Sequence, residues 1–502
     1  PLRGLRTRQL CIMDSLNPMA ESHRQSKQIF VVSRPLWIVL FDRMRRYLLL
    51  ALFFGVFALL LDQEGPSGLS LEGYKVLCLF VLCVLLWSTN LIPLSITSLL
   101  AISAVPLLGV MEASQAYSFF GNKAVFFILG VFILSASMIA CGLSTRISIW
   151  VMKHWSNTPS QLITSIYCFA GVSSCFMSEH AVAVILFPII HEIAQSLNLK
   201  RENSIFAKGM YFAMAWGCII GGAMTVLGGG RVPLAIEMLE KSTAGAETIG
   251  ILQYTQLSFP LILAMFAGGW LALKFLFPPD IQDIEAARKA LEHKSHVMGN
   301  LTFQEKGIAL VMLMTLFCWF LYGDQLGIAN IAIISIVLLF VLNLITWKMV
   351  ESHINWAIVL MYGGAICLGE VMAETGAALW LAEKLFVGVV DSPIVFLLVI
   401  ALLSTLFTTF MSNSAVIAIL LPTAISMSPS YGIHPAMATM TVILPSNFAF
   451  ILPIATPASA LAYSSRFLTL KEMIWSGSLL SLFGLGCFLI MLLFYWPMIG
   501  FQ

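Results

Sequence analysis

Two short polar clusters interrupt otherwise apolar stretches of this 502-residue chain, and they carry its clearest chemistry. One is Ser173-Ser174 followed by Ser178-Glu179-His180. The other is Thr408-Thr409 followed by Ser412-Asn413-Ser414. Each precedes an apolar run with helical character. Ser, Thr and Asn cap helix N-termini because their oxygens accept the orphan N–H groups. An N-terminus that opens on a cavity presents free N–H groups and a partial positive charge, which bind a carboxylate or another oxyanion without Arg. A second interruption follows each cluster: Thr225-Val226-Leu227-Gly228-Gly229-Gly230-Arg231-Val232-Pro233, and Leu452-Pro453-Ile454-Ala455-Thr456-Pro457-Ala458-Ser459. Gly and Pro runs break a helix and free carbonyls for a cation such as Na+. Ser174, Gly228 and Gly229 are therefore candidate cation-site residues. The bland alternative is Ser and Thr back-bonding within kinked helices.

The two clusters are copies. From Cys175 to Pro188, eight of fourteen positions are identical to those 234 residues later. The same offset pairs Val125 with Val359, Gly130 with Gly364, Leu134 with Leu368, Met138 with Met372, Gly142 with Gly376 and Pro159 with Pro393. One gap-free register over that length, with Gly and Pro matched, reads as an internal repeat rather than shared apolar bias.

The positioning elements must be membrane helices. Hydrophobic residues make up 59% of the chain and charged ones 10%, and mean hydropathy is +0.92. Soluble domains carry about 25% charged residues, so a soluble protein is excluded. The net charge of +2 gives no case for nucleic-acid binding. Ten scattered Cys without a C-x-x-C pair argue against disulfide, zinc or iron–sulfur frameworks. Crossing runs of about 20 residues are expected at Tyr47–Leu61, Val76–Pro93, Leu94–Val110, Ala124–Ala140, Gly209–Leu227, Phe259–Phe277, Ile308–Leu321, Ile328–Ile345, Ala357–Met372, Thr439–Ile454 and Ile474–Tyr495. The fold class is thus an all-α polytopic membrane protein with about eleven transmembrane helices. Two broken segments, 159–195 and 393–426, read as re-entrant helical hairpins, allowed at membrane depth when enclosed by protein.

The first 46 residues hold nine Arg/Lys against three acids. The positive-inside rule puts that arm in the cytoplasm and, with eleven crossings, the C-terminus outside. A transit peptide is the weaker reading of the arm, because Asp14, Glu21 and Asp42 interrupt it. Met13 and Met19 are possible native starts. The expected organisation is a basic arm over 1–46, a first transmembrane helix over 47–70, a first repeat over 71–277, a cytoplasmic linker over 278–306 and a second repeat over 307–502. An odd number of crossings per repeat inverts the second copy. Inverted repeats with paired broken helices mark secondary transporters that bind substrate at the midplane.

With these motifs the chain resembles the divalent anion/sodium symporters, carriers of dicarboxylate, citrate and sulfate. Leu86-Trp87-Ser88-Thr89-Asn90-Leu91-Ile92-Pro93 resembles that family's early Trp-x-Thr-x-x-Ile-Pro segment. Ser412-Asn413-Ser414 resembles its second Ser-Asn-Thr signature, and Leu452-Pro453-Ile454-Ala455-Thr456-Pro457 its Leu-Pro-Val-Ala-Thr-Pro segment. The resemblance implies a homodimer in the plasma membrane that moves a small dianion by an elevator mechanism, usually with Na+, and it implies no other cofactor. Carried over by position, it places substrate carboxylates at Ser178 and Ser412-Asn413-Ser414 and a Na+ at Thr408, Asn413 and the backbone near Ala455; Glu179, His180, Thr456 and Pro457 complete the candidate substrate-site residues.

The chain departs from the family where Ser178-Glu179-His180 replaces Ser-Asn-Thr and where Arg231 interrupts a Gly-Thr-Pro-Pro stretch. Ionisable groups at the midplane are expensive and default to function. Arg231 is expected to take the place of one Na+ and pair with Glu179, with His180 able to carry a proton. Coupling to protons or anion exchange is the alternative, and a static structural pair is the plain one. His191-Glu192 lacks the second His of a zinc protease motif, and no P-loop exists for an ATP-driven pump. An integral membrane enzyme using Glu179 and His180 is the distant rival. It has no need of a second, inverted copy of its site, so the chain is not expected to be an enzyme.

Overall fold

The computed structural model describes residues 36–501, except 90, 202 and 387–391. The basic arm over 1–35 lies outside the described residues. The chain divides into two units, 1–56 and 57–502. The described part of the first unit is the beginning of helix α1, Leu36–Leu61, so the end of the expected basic arm is helical. Apart from α1, everything below belongs to the second unit, whose described residues form helices and connections with no strand.

Helices α2 (Leu71–Thr89), α3 (Leu94–Leu107), α4 (Lys123–Ala140) and α5 (Leu143–Trp155) lead to the first hairpin, α6 (Pro159–Ser174) and α7 (Glu179–Ser196). The broken pair α8 (Ile205–Gly221) and α9 (Arg231–Ser242) follows, then α10 (Ile251–Leu276) and α11 (Glu285–Met298). The second half runs α12 (Phe303–Leu326), α13 (Ile328–Val341), α14 (Trp356–Glu374), α15 (Ala377–Phe386), hairpin α16 (Pro393–Phe410) and α17 (Asn413–Met427), the broken pair α18 (Pro435–Ser446) and α19 (Pro457–Ser464), and α20 (Leu470–Ile490).

Nine helices among the described residues are long and apolar enough to cross a membrane. Two of them are α16 and the α17 segment, which were expected as hairpin arms. Four of the eleven expected crossings are shorter helices: α3, α8, α13 and α18. The sequence overshoots at Gly209–Leu227 and Thr439–Ile454 because apolarity continues past the helix ends. The backbone leaves the helix after Gly221, where glycines accumulate, and after Ser446, one residue past Pro445. Phe317, Ile334, Val341, Leu482 and Phe494 are among many exposed large apolar side chains, as expected when the surrounding solvent is lipid.

Element boundaries recur at the sequence offset. Helices α7 and α17 begin 234 residues apart, as do α6 and α16, which carry Pro159 and Pro393 at their first turns. Gly142 and Gly376 have φ of +84° and +72° and each ends a helix, a backbone region open to Gly at little cost. The copies interlock. Helix α7 packs on α19, whereas α9 packs on α17. Each hairpin therefore leans on the broken helix of the other copy. Within the first copy α6 and α8 touch at backbone level. A Cβ on Gly221 would fall 2.0 Å from the Gly171 carbonyl oxygen.

Candidate functional site

The two hairpin tips have the same local geometry. Ser178 (φ −61°, ψ 140°) and Ser412 (φ −67°, ψ 146°) are extended N-caps. Their hydroxyls accept from Ala181 N and Ala415 N, each at 3.3 Å. An extended cap followed by helix turns alternate residues to opposite sides. Ser178 and His180 are half-buried, as are Ser412 and Ser414, whereas Glu179 and Asn413 point inward and are buried. The outward positions offer hydroxyl, imidazole and free helix N–H groups, donors suited to an oxyanion. The inward positions define two pockets of different chemistry.

In the second pocket Thr408 Oγ1 lies 2.8 Å from Asn413 Oδ1 and 2.8 Å from the Ser446 carbonyl oxygen. A hydroxyl has one proton, so three oxygens share it and one remains in excess as an acceptor. All three residues are buried and neutral. Hard oxygen donors without a resident charge fit Na+. Ala455 is buried on the adjoining break, and Thr456 caps α19 through Oγ1, which accepts from Ser459 N at 3.2 Å. Pro457 is exposed at the first turn of α19.

The first pocket is occupied by protein charge. Arg231 Nη1 stands 3.2 Å from Glu179 Oε2, with side chains 4% and 11% exposed. The alignment makes this an ion pair without a hydrogen bond to Oε2, and Arg231 Nε and Nη2 have no hydrogen-bond partner. The room for the guanidinium comes from glycine: a Cβ on Gly229 would lie 2.8 Å from Nη1, and one on Gly222 3.3 Å from Nη2. Glu179 N donates to the Gly228 carbonyl at 3.2 Å. Arg231 opens α9 and so adds a cation at the positive end of a helix, whereas Glu179 opens α7 and complements it. Neither charge is tolerable here alone. Ser174, the counterpart of Thr408, is fully buried, with its Oγ beside the Cys218 thiol. This donor set does not fit Na+, because a fixed guanidinium already stands in it.

The structure thus brings together Glu179 with Arg231 and Gly228, and Thr408 with Asn413. It adds two residues that sequence reasoning missed. Ser446 supplies a backbone carbonyl at the Thr408 pocket, for which the sequence held no signal. Tyr362 on α14 puts a buried, unpartnered hydroxyl against Gly230, 2.6 Å from where its Cβ would stand. A Tyr inside an apolar helix carried no signal.

Comparison with known proteins agrees with this architecture. The sodium-dependent dicarboxylate transporter SdcS of Staphylococcus saprophyticus is 26% identical over 470 residues, covering 88% of this chain and 89% of that protein. SdcS of Staphylococcus aureus is 26% identical over 469 residues, with the same coverage. Among solved structures, the YdaH transporter of Alcanivorax borkumensis aligns with a TM-score of 0.54 at 16% identity, over 76% of this chain and 87% of that one. MtrF of Neisseria gonorrhoeae aligns with a TM-score of 0.52 at 12% identity, over 74% and 81%. At those identities the structures speak for the fold alone. The profile of the sodium:sulfate symporter transmembrane region matches residues 42–502. With nearly the whole chain matched, and with paired hairpins and broken helices in place, the protein belongs to the sodium:sulfate symporter family and is a membrane transporter rather than an enzyme.

Proposed function

We propose that this transporter moves small dicarboxylates with Na+ by elevator-type alternating access, and that one of its two hairpin cation sites is altered. The carrying observation is the pair of equivalent tips, Ser178 and Ser412, with an oxygen-rich neutral pocket behind the second. The SdcS relatives are named for sodium-dependent dicarboxylate transport, which supports this substrate class. In this scheme the outward groups at Ser178, His180, Ser412 and Ser414, with Thr456 and Pro457 beside them, hold the two carboxylates. Na+ at Thr408, Asn413, the Ser446 carbonyl and the Ala455 backbone offsets their charge. Glu179 and Arg231 fill the equivalent place in the first hairpin, bounded by Ser174, Gly228 and Gly229.

The hairpins and broken helices move as the carrying part, and the inverted second repeat supplies the opposite-facing state. A homodimer in the plasma membrane, with the N-terminus cytoplasmic and the C-terminus outside, completes the proposal. The part-buried imidazole of His180, whose Nδ1 has no hydrogen-bond partner, supports a second reading in which a proton is a coupling ion. Proteoliposomes decide between them. Succinate, citrate, sulfate, phosphate and arsenite are offered with and without Na+ and a pH gradient. Uptake of a dicarboxylate that requires Na+ is expected. Flux equal to empty liposomes for every dianion refutes the proposal, and uptake that follows the pH gradient without Na+ favours the second reading.

A further inference from the structure

We infer that one transport cycle of this chain carries a single Na+ with each dicarboxylate dianion and so moves one net negative charge, which makes an inside-negative membrane potential oppose uptake and promote efflux. The inference rests on the transport reading above and on the difference between the two inward pockets. The repeat places Glu179 where Asn413 stands and Ser174 where Thr408 stands, one residue for one residue. The second pocket keeps two neutral oxygens, Asn413 Oδ1 and the Ser446 carbonyl, each 2.8 Å from Thr408 Oγ1. The first holds its own cation: the Arg231 guanidinium, 3.2 Å from Glu179 and seated against Gly222 and Gly229.

A mobile Na+ entering the first pocket would meet a fixed like charge that is almost fully buried, where screening is weak. The hairpins therefore bind one Na+ between them. A bound Na+ is released on the far side and counts in the charge of the cycle. Arg231 and Glu179 travel out with the loaded carrier and back with the empty one, so their charges cancel over the cycle. A dianion with two Na+ would be electroneutral; with one Na+ it leaves a net negative charge. The same fixed pair keeps the first hairpin neutral when no ligand is bound. Both hairpins are then neutral in the empty carrier, the second because its oxygen donors carry no charge, which suits return in either direction.

The potential sets the size of the effect. One elementary charge crossing 100 mV changes the equilibrium ratio by about 50-fold. Purified protein in proteoliposomes, with the potential clamped by potassium and valinomycin, reads this directly with radiolabelled succinate under a fixed Na+ gradient. Accumulation about 50-fold lower at 100 mV inside-negative than at zero potential is expected, as is efflux faster by the same sign. A second arm counts radiolabelled Na+ bound to the detergent-purified protein without any transport. About one Na+ per chain is expected for wild type and about two for Glu179→Asn combined with Arg231→Thr. Accumulation that is unchanged or raised by an inside-negative potential overturns the inference while leaving dicarboxylate transport intact. Two Na+ bound to the wild type overturns it whatever the transport assay gives. Succinate flux equal to empty liposomes, with one Na+ bound, refutes the transport reading and leaves the single-cation pocket standing.

Discussion

Replacing Glu179 with Asn strands Arg231. The guanidinium is 4% exposed, and its Nε and Nη2 have no hydrogen-bond partner, so Glu179 is its main compensation. Removing one partner of a buried pair typically costs about 3–5 kcal/mol. Insertion scales put a lone Arg at the bilayer centre near 2.5–3.5 kcal/mol, which brackets the same loss from another direction. At about 1.4 kcal/mol per tenfold, the single variant should lose roughly two to three powers of ten in correctly folded over misfolded protein. Arg231→Thr should lose a comparable amount, because it leaves a bare carboxylate buried beside the Gly228 segment of the break. The double variant removes both charges and should recover most of either loss. The assay is a double-mutant cycle read by the monodisperse fraction in detergent after graded heating, with succinate uptake beside it. A coupling of about 2 kcal/mol or more is expected. Additivity within about 0.5 kcal/mol, or a double variant worse than both singles, refutes the claim that these residues compensate each other.

Asn413→Ala removes the proposed Na+ acceptor and a buried amide at the second tip. With hydrogen bonds to charged groups worth roughly 1.5–3 kcal/mol, succinate uptake should fall at least about tenfold while the protein still purifies as wild type does. Thr408→Val keeps the shape and removes the hydroxyl shared between Asn413 and Ser446; the Na+ concentration for half-maximal uptake should rise about tenfold, with little change at saturating Na+. Gly229→Ala puts a methyl 2.8 Å from Arg231 Nη1 and should push the guanidinium off Glu179, lowering uptake and the yield of monodisperse protein together; near-wild-type behaviour in both would mean that the glycine is not making room for Arg231.

The helix breaks before Glu179 and Asn413 were legible because two independent signals coincided. Ser178 and Ser412 are ordinary N-caps that announce a helix start, and the matched offset places both in the same kind of break. The Glu179–Arg231 pair was legible from charge economy, since opposite charges in an apolar chain must find each other. Helix ends were less legible. Apolarity runs on from Gly221 through Val226-Leu227, and hydropathy cannot separate a buried break from a buried helix. Arg146 was missed for a related reason. Its bond to Glu305 and its contacts with the Met298 and Gly299 carbonyls join segments about 150 residues apart, and no local pattern encodes that. Ser446 acts through its carbonyl, which every residue possesses, so its role depends on position and not on side-chain type.

The contact of Gly171 with Gly221 constrains how this hairpin can take part in alternation. At this contact backbone meets backbone, with no side chain between α6 and α8. The Tyr167 hydroxyl, donating to the Phe266 carbonyl at 3.0 Å, fastens the same helix to α10. A tip that swung open like a flap would have to shear that seam. These contacts tie α6, α8 and α10 into one packed unit, so in the proposed elevator scheme the hinges belong in the connections that lead into and out of it.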